Sequence, residues 1–594
     1  MVEEFYQLFF KCDAIIPCSP VFLSSKDKPW ITPVLKCLIN KRWAAFRDKK
    51  WTLYNHYKDK VKKQILEAKR IWAKRQSATT KGLWSVVNEL SAKRCQNGLA
   101  TLSTQYGSSE RLVRDLTDEF LKNFNYDSDV DLLPINCVDW DFQVSHMDVL
   151  RKLQKLNPRK AMGPDMIPTK LLKLAAPFIS YPLADIYNRS IIEKKFPVAF
   201  KHAHVTPLPK VSRPTVKDFR PISMLPVLGK ILEQLVLDKM RNELTTCYSP
   251  RQHAYRPQGS TTTALVDIHD TITRLLDTKT TTAVRILCID LSKAFDCLQI
   301  NRLINYLASK GVCSAFLEWL LSYLTGRSFR VSTMDVYGPC VVVPSGVPQG
   351  SVLGPTLFAA FMGSISFSEV KDVTAVLYAD DVTFIENFDS SCCSKTLLSL
   401  NYIEGKFKRA GLKLNTSKCK DMVFARSTSF VLSDGQLVSD TDVLRILGIR
   451  FSQSLSWSNQ FSYMLKRASS RMYIIRCLRN VLTRVELIRV YHAIITSLFL
   501  YASPVYGCVP TTLLAKLDSF QKRAHKLVCG EDCLCPLFPP SGDRFRDAGL
   551  KLLHHCEAFD HHPLHARTPL GLPRSGHLRV PMSCTSRRQK PFFP

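Results

Sequence analysis

Acidic side chains are scarce in this chain, and the devices that staple or anchor a protein outside the cell are scarcer still. Its 594 residues carry 51 Asp plus Glu against 82 Lys plus Arg, a formal net charge of +31. Such a deficit disfavours cationic partners and favours polyanions, whose phosphates would make association salt-dependent. Basic charge alone suits ribosomal and membrane-surface proteins as well. Twenty cysteines are present without one Cys-x-x-Cys pair, which fits reduced thiols inside a cell better than a disulfide scaffold. Glu3 and Glu4 stand where a secretory leader would need basic residues. No internal repeat is evident. The longest apolar stretch, Val490 to Val509, contains His492 but no Asp, Glu, Lys or Arg. Its length raises the question of a membrane span, while Pro504, Ser497, Ser503 and its tyrosines favour a buried helix.

Against this background three carboxylates stand out. Ala375–Tyr378 and Val382–Ile385 are apolar, β-prone runs that flank Ala379-Asp380-Asp381, so they predict a hairpin with the acids at its tip. Arg285–Ile289 is a third such run, and it ends at Asp290. An Asp-Asp between strands is by itself an ordinary solvated turn, and a lone Asp at a strand end is a helix cap. Gathered together, Asp290, Asp380 and Asp381 concentrate charge that a bound cation must neutralise. Oxygen donors suit hard divalent ions, so two Mg²⁺ ions are expected, with Mn²⁺ as a substitute. Such a pair, about 4 Å apart, activates a primer 3′-hydroxyl and stabilises departing pyrophosphate.

Between the two acid sites lies Ser345-Gly346-Val347-Pro348-Gln349-Gly350-Ser351, whose glycines permit unusual backbone angles and close chain approach. In the order Asp290, Pro-Gln-Gly loop, Tyr-Ala-Asp-Asp, the chain resembles the palm of a reverse transcriptase, and within that family the non-LTR retrotransposon (LINE-type, jockey-like) branch. Lys160–Pro168, Thr206–Lys210, Asp218–Ser223, Gly411–Lys418 and Leu447–Ile449 resemble further family blocks, so the likeness runs over residues 150 to 530. The resemblance implies an α+β, right-hand polymerase fold of fingers, palm with a small antiparallel sheet, and helical thumb. It implies metal ligation by Asp290, Asp380 and Asp381, and Lys418 as proton donor to pyrophosphate. Lys210 and Arg220 would grip the triphosphate, Leu291 would frame the nucleotide, and Gln349 and Gly350 would lie under the template and incoming base. Phe295 matches an aromatic steric gate that excludes ribose; as a bare residue it is a core Phe at helical spacing. The partners implied are an RNA template, a DNA primer and dNTPs, with no membrane, and the family's habit of copying at the chromosome implies the nucleus. One departure is visible: Ala254 stands where relatives carry glycine in Gln252–Arg256.

The expected organisation is a basic helical extension over 1–140, the reverse transcriptase domain over 190–454, a helical thumb over 455–535 and a poorly ordered tail over 536–594. Residues 41–76 hold thirteen Lys/Arg and three Asp/Glu, a net of 13 − 3 = +10. Tyr54, Tyr57, Val61, Ile65, Ala68 and Trp72 recur at steps of three and four, an amphipathic helix with a basic face. Trp43, Phe46 and Trp51 interleave, a pattern that suits RNA binding or core packing under a charged face. Leu465, Ala468, Met472, Ile475 and Leu478 repeat the helical step in the thumb. Cys533, Cys535, His554, His555 and Cys556 offer zinc donors at spacings of no familiar knuckle. LINE-type relatives carry an endonuclease ahead of the polymerase, and none is expected within these residues. Two rivals remain open: an intron-maturase-like or RNA-templated RNA polymerase, and a catalytically inactive RNA-binding relic.

Overall fold

The structure is a computed structural model that describes residues 1–13, 27–91, 99, 102–103, 106–124, 130–134, 140–211, 213–277, 283–333, 336–367, 373–388, 402–424, 430–431, 437–506, 509–530, 539–559 and 562–564. The chain divides into two units, one of Met1–Ile16, Gln96–Leu447 and Cys556–Gln589, the other of Pro17–Cys95, Gly448–His555 and Lys590–Pro594. The division cuts across the expected 1–140 extension.

The first unit is built on two sheets. In the first, β1 (His202–Pro209) pairs antiparallel with β2 (Phe219–Met224), Leu208 opposite Arg220. The second is six-stranded, and β3 (Ala283–Ile289) lies within it. β3 is apolar on both faces and buried on both, as a central strand must be. A two-residue continuation, β4 (Leu291–Ser292), leaves that sheet. β5 (Arg327–Thr333) runs parallel to β1, with β6 (Val336–Tyr337) and β7 (Val341–Val343) beside it. β8 (Val373–Tyr378) and β9 (Asp381–Phe388) form the hairpin foreseen from the sequence, and β9 pairs antiparallel with β3. β10 (Lys413–Leu414) pairs with β4, and β11 (Lys420–Phe424) covers the other edge of β3. β12 (Phe430–Val431) and β13 (Leu437–Asp440) complete the order β12-β13-β11-β3-β9-β8. The one charge inside β3, Arg285, is buried and answered by Asp421 of β11. Nε donates to Oδ1 at 2.9 Å and Nη2 to Oδ2 at 2.6 Å, the bidentate geometry that makes a buried ion pair tolerable.

Helices back the sheets. Trp319, Tyr323, Phe316, Tyr187, Phe358 and Phe361 are among the largest fully buried side chains. The helix Gly354–Gly363 shows why its sequence forms it. Pro355 occupies the first turn, where no amide is lost, and the run Leu357–Met362 is buried all round. Its entry is held by Glu233, buried in the helix Val227–Thr246. Glu233 Oε2 accepts from Val352 N (2.7 Å), Leu353 N (3.1 Å) and the Tyr323 hydroxyl (3.2 Å), and burial pushes its carboxyl upward. Glu233→Ala leaves these three donors unpaired. The expected loss is about 3 kcal/mol or more of stability, read from denaturant unfolding.

The second unit is helical. Thr32 caps Pro33–Arg47 by accepting from Leu35 N, the chain reverses at Lys49 (φ 55°), and Trp51–Gln76 returns along it. Val61 and Ala68 of the foreseen stripe are buried. Ser458–Leu478 buries Phe461, Met464, Ala468, Met472, Ile475 and Leu478, and it packs against Thr80–Leu90, while Arg70 Nε donates to Asn480 O at 2.7 Å. The apolar stretch 490–509 is not one helix. Arg484–Tyr491 passes into a π turn at His492–Thr496 and then two short helices, Ser497–Leu500 and Ser503–Tyr506. Among the described residues no helix is long and apolar enough to cross a membrane. The tail is corrected in part: Ser541–Ala558 is a helix, with Phe545 edge-on to Phe461 and Tyr506. Cys533 and Cys535 lie outside the described residues, as does everything after Leu564.

Candidate active site

The hairpin turn is the site's origin. Tyr378 pairs with Asp381, so only Ala379 and Asp380 make the turn, and Ala379 sits at φ 57°, a conformation that favours glycine. A buried side chain holds it there. Gln252 Oε1 accepts from Ala379 N at 3.0 Å and from Ala254 N at 3.0 Å. His253 N donates to Leu377 O and Leu377 N to Arg251 O, so residues 251–253 lie as a short parallel edge on β8. Ala254 itself has no positive φ; the left-handed angles fall on Tyr255 (58°) and Gln258 (64°), so a glycine at 254 is not needed for this loop.

The β3–β9 register pairs Ile289 with Val382, so one step further sets Asp290 across from Asp381. Asn415 N donates to Asp290 O at 2.8 Å and ties β10 to the same point. The carboxylates feel one another. Burial pushes Asp380 up, and the Asp290 charge adds to it, while Arg220 and Lys418 oppose. Asp381 is pushed up to about 6, first by burial and then by Asp380 and Asp290. Lys418 Nζ reaches Asp290 Oδ2 at 3.1 Å, so the residue expected to donate a proton is here an ion-pair partner. Among the described residues no group of three His, Cys, Asp or Glu side chains is gathered closely enough to grip a metal ion. The donor set is nevertheless right for a hard divalent ion: carboxylate oxygens only, gathered at adjoining strand ends.

Lys418 belongs to a group of cations. Burial lowers Lys210, and the nearby charges of Arg220, Lys293 and Lys418 lower it further, which places these four in one electropositive neighbourhood. Lys210 N also donates to Asp218 O at 2.8 Å, closing the β1–β2 connection. Lys293, not singled out in the sequence, forms an ion pair with Glu119 at 3.5 Å.

The Pro-Gln-Gly loop is wedged between these parts, and its glycines show why. A Cβ on Gly346 (φ 81°) would come within 2.7 Å of Asp296 O, and one on Gly350 (φ 125°) within 2.5 Å of Ser223 O. Val347 N donates to Phe295 O at 3.0 Å, and Ser223 N to Gln349 O at 2.8 Å. Gln349 Nε2 donates to Asp296 Oδ1 at 2.8 Å. Asp296 is pushed up to about 6, mainly by burial. A carboxyl raised by folding stabilises the protein below its unfolded pKa and loses that share as pH rises through the folded value. Relative to Asp296→Asn, wild type should therefore lose about 3 kcal/mol between pH 4 and 7, with the change complete just above pH 6. Chemical denaturation across that range checks it. Phe295 is half-buried, its ring stacked on Phe358 at 4.3 Å and 17°. Leu291 is buried, and only its backbone, paired with Leu414, reaches the site's edge. Tyr255, also missed in the sequence, is close enough to Asp380 for that charge to add to the upward push of burial on its phenol.

Residues 208–463 match the family of reverse transcriptases (RNA-dependent DNA polymerases). The RNA-directed DNA polymerase from mobile element jockey of Drosophila funebris is 27% identical over 75% of this chain and 51% of its own. The jockey enzyme of Drosophila melanogaster is 26% identical over 64% and 43%, and the probable RNA-directed DNA polymerase from transposon BS of that species 24% over 68% and 46%. The chain thus spans about half the length of the curated relatives it matches. An apo telomerase from Candida tropicalis, truncated from its C-terminal domain, aligns with a TM-score of 0.32 at 13% identity over 50% of this chain and 62% of that one, too distant to argue from. Residues 208–463, which hold the strand-end carboxylates and the Pro-Gln-Gly loop, thus match a reverse transcriptase domain. The chain is similar to the jockey, BS and X-element RNA-directed DNA polymerases of Drosophila.

Proposed function

We propose that this chain is an RNA-directed DNA polymerase, adding dNMPs to a primer 3′-hydroxyl on an RNA template and releasing pyrophosphate. One observation carries the proposal: the β3–β9 register sets Asp290 across from Asp381, next to Asp380 in the turn, with Lys418 Nζ 3.1 Å from Asp290 Oδ2. In this reading the three aspartates hold two Mg²⁺ ions, which supply Lewis-acid activation of the hydroxyl and charge neutralisation at the leaving group. Lys210 and Arg220 bind the triphosphate, the guanidinium offering paired donors to phosphate oxygens. Lys418 exchanges its bond to Asp290 for one to the leaving pyrophosphate and gives it a proton. Gln349 and Gly350, fixed against Asp296 and Ser223, form the floor under the templating pair. The Phe295 ring, backed by Phe358, excludes the ribose 2′-hydroxyl. Copying at a chromosomal nick would be its setting, which implies the nucleus.

Incorporation of dTTP and UTP on poly(rA)·oligo(dT) with Mg²⁺ tests this reading. Wild type should strongly prefer dTTP, and Phe295→Ala should erode the preference on the order of tenfold or more. Equal use of both sugars by wild type would remove the gate and favour an RNA polymerase.

A further inference from the structure

The polymerase reading makes no use of the corner between helices Pro33–Arg47 and Trp51–Gln76. Trp43, Phe46 and Trp51 are there 60%, 46% and 57% exposed, although rings of this size ordinarily turn inward. They form one cluster. Phe46 meets Trp43 edge-on at 6.0 Å and Trp51 at 5.9 Å, and Trp51 meets Tyr54 at 6.1 Å. The reversal at Lys49 brings Trp51 back beside Phe46. Arg47 and Lys50 flank the rings with side chains 83% and 65% exposed, within a stretch whose net charge is +10.

We propose that this corner is a binding site for single-stranded RNA, with bases stacked on Trp43 and Trp51 and phosphates on Arg47 and Lys50. Every base offers a π-face, so aromatic rings among cations grip single strands with little sequence preference. A duplex keeps its bases stacked and offers those rings nothing. A membrane-surface helix would expose an apolar stripe along its length. Here the long stripe of Trp51–Gln76 turns inward at Val61 and Ala68, and beyond the corner only Leu53 and Ile71 are exposed large apolar side chains on that helix, which makes no continuous stripe. The proposal rests on and deepens the polymerase reading by giving the template RNA an anchor in the unit that does not carry the carboxylates, yet binding at this corner needs no catalysis.

The test is fluorescence anisotropy of the full chain with labelled U12 RNA, a 12-base-pair RNA duplex and phosphatidylcholine/phosphatidylserine vesicles. Trp43→Ala/Trp51→Ala should weaken U12 binding roughly 10- to 100-fold and leave duplex affinity unchanged. Trp43→Phe/Trp51→Phe should keep most of the affinity, which separates stacking from damage to the fold. The Asp380→Asn chain should bind U12 as wild type does, so the corner stands or falls independently of polymerisation. Unchanged U12 affinity in the double alanine variant overturns the proposal. So does an equal loss for duplex, or vesicle binding that the alanine variant abolishes while U12 binding persists.

Discussion

Asp380→Asn should abolish dNMP transfer while raising the melting temperature of the metal-free protein. The two effects share a cause. Asp380 stands at the tip of the β8–β9 turn, desolvated and repelled by Asp290, so its charge destabilises the fold it completes. Asparagine keeps the shape and removes the charge, relieving that repulsion on Asp381 too. On the proposed reading catalysis loses a metal ligand, and the expected fall is about a thousandfold or more. Damage to the fold would lower activity and melting temperature together. Primer extension alongside differential scanning calorimetry distinguishes the cases: loss of activity with gain of stability marks a carboxylate whose charge the fold tolerates for its chemistry.

The second large effect belongs to Gln252, which touches no reacting atom. Its Oε1 accepts from Ala379 N and Ala254 N inside the protein, and Ala379 keeps a left-handed backbone angle one residue before Asp380. Gln252→Leu matches its size but leaves both amides unpaired, at a cost of about 2 kcal/mol or more. The freed turn can relax, and a carboxylate displaced by about 1 Å can lower turnover on the order of 100-fold. Because the proposed nucleotide contacts come from other loops, KM for dTTP should change far less than kcat. Gln252→Glu preserves the accepting oxygen and should recover a substantial part of kcat. A purely structural role would lower the amount of folded enzyme and leave the kcat of the folded fraction intact.

The sequence displayed the hairpin because the β-prone runs flanking Asp380 and Asp381 are local, and one turn closes them. It displayed Asp290 because an apolar run ended there. The glycines of the Pro-Gln-Gly loop were visible; what they press against was not, since Ser223 and Asp296 arrive from other parts of the chain. Gln252 and Glu233 were illegible for the same reason. Each is a polar residue with partners far along the chain, Ala379 127 positions from Gln252 and Tyr323, Val352 and Leu353 90 to 120 from Glu233, and only tertiary packing distinguishes it from a solvated surface residue. The Arg285–Asp421 pair hides in two apolar strands 136 positions apart. The helix Ser541–Ala558 escaped notice because Gly549 interrupts the stripe of Phe545, Leu553 and Cys556. At 490–509 composition promised one helix, and the π turn that breaks it leaves no mark in hydropathy.

The most direct measurement is RNA-templated extension of oligo(dT) on poly(rA) in Mg²⁺, by wild type and by Asp290→Asn, each shown folded by a cooperative melt. Asp290 is the carboxylate supplied by the other strand, so it tests whether acids from separate segments act as one site. Wild type should build labelled DNA that requires both template and Mg²⁺, and the variant should build none above background. DNA synthesis undiminished in Asp290→Asn, or a well-folded wild type that extends nothing, would contradict the assignment.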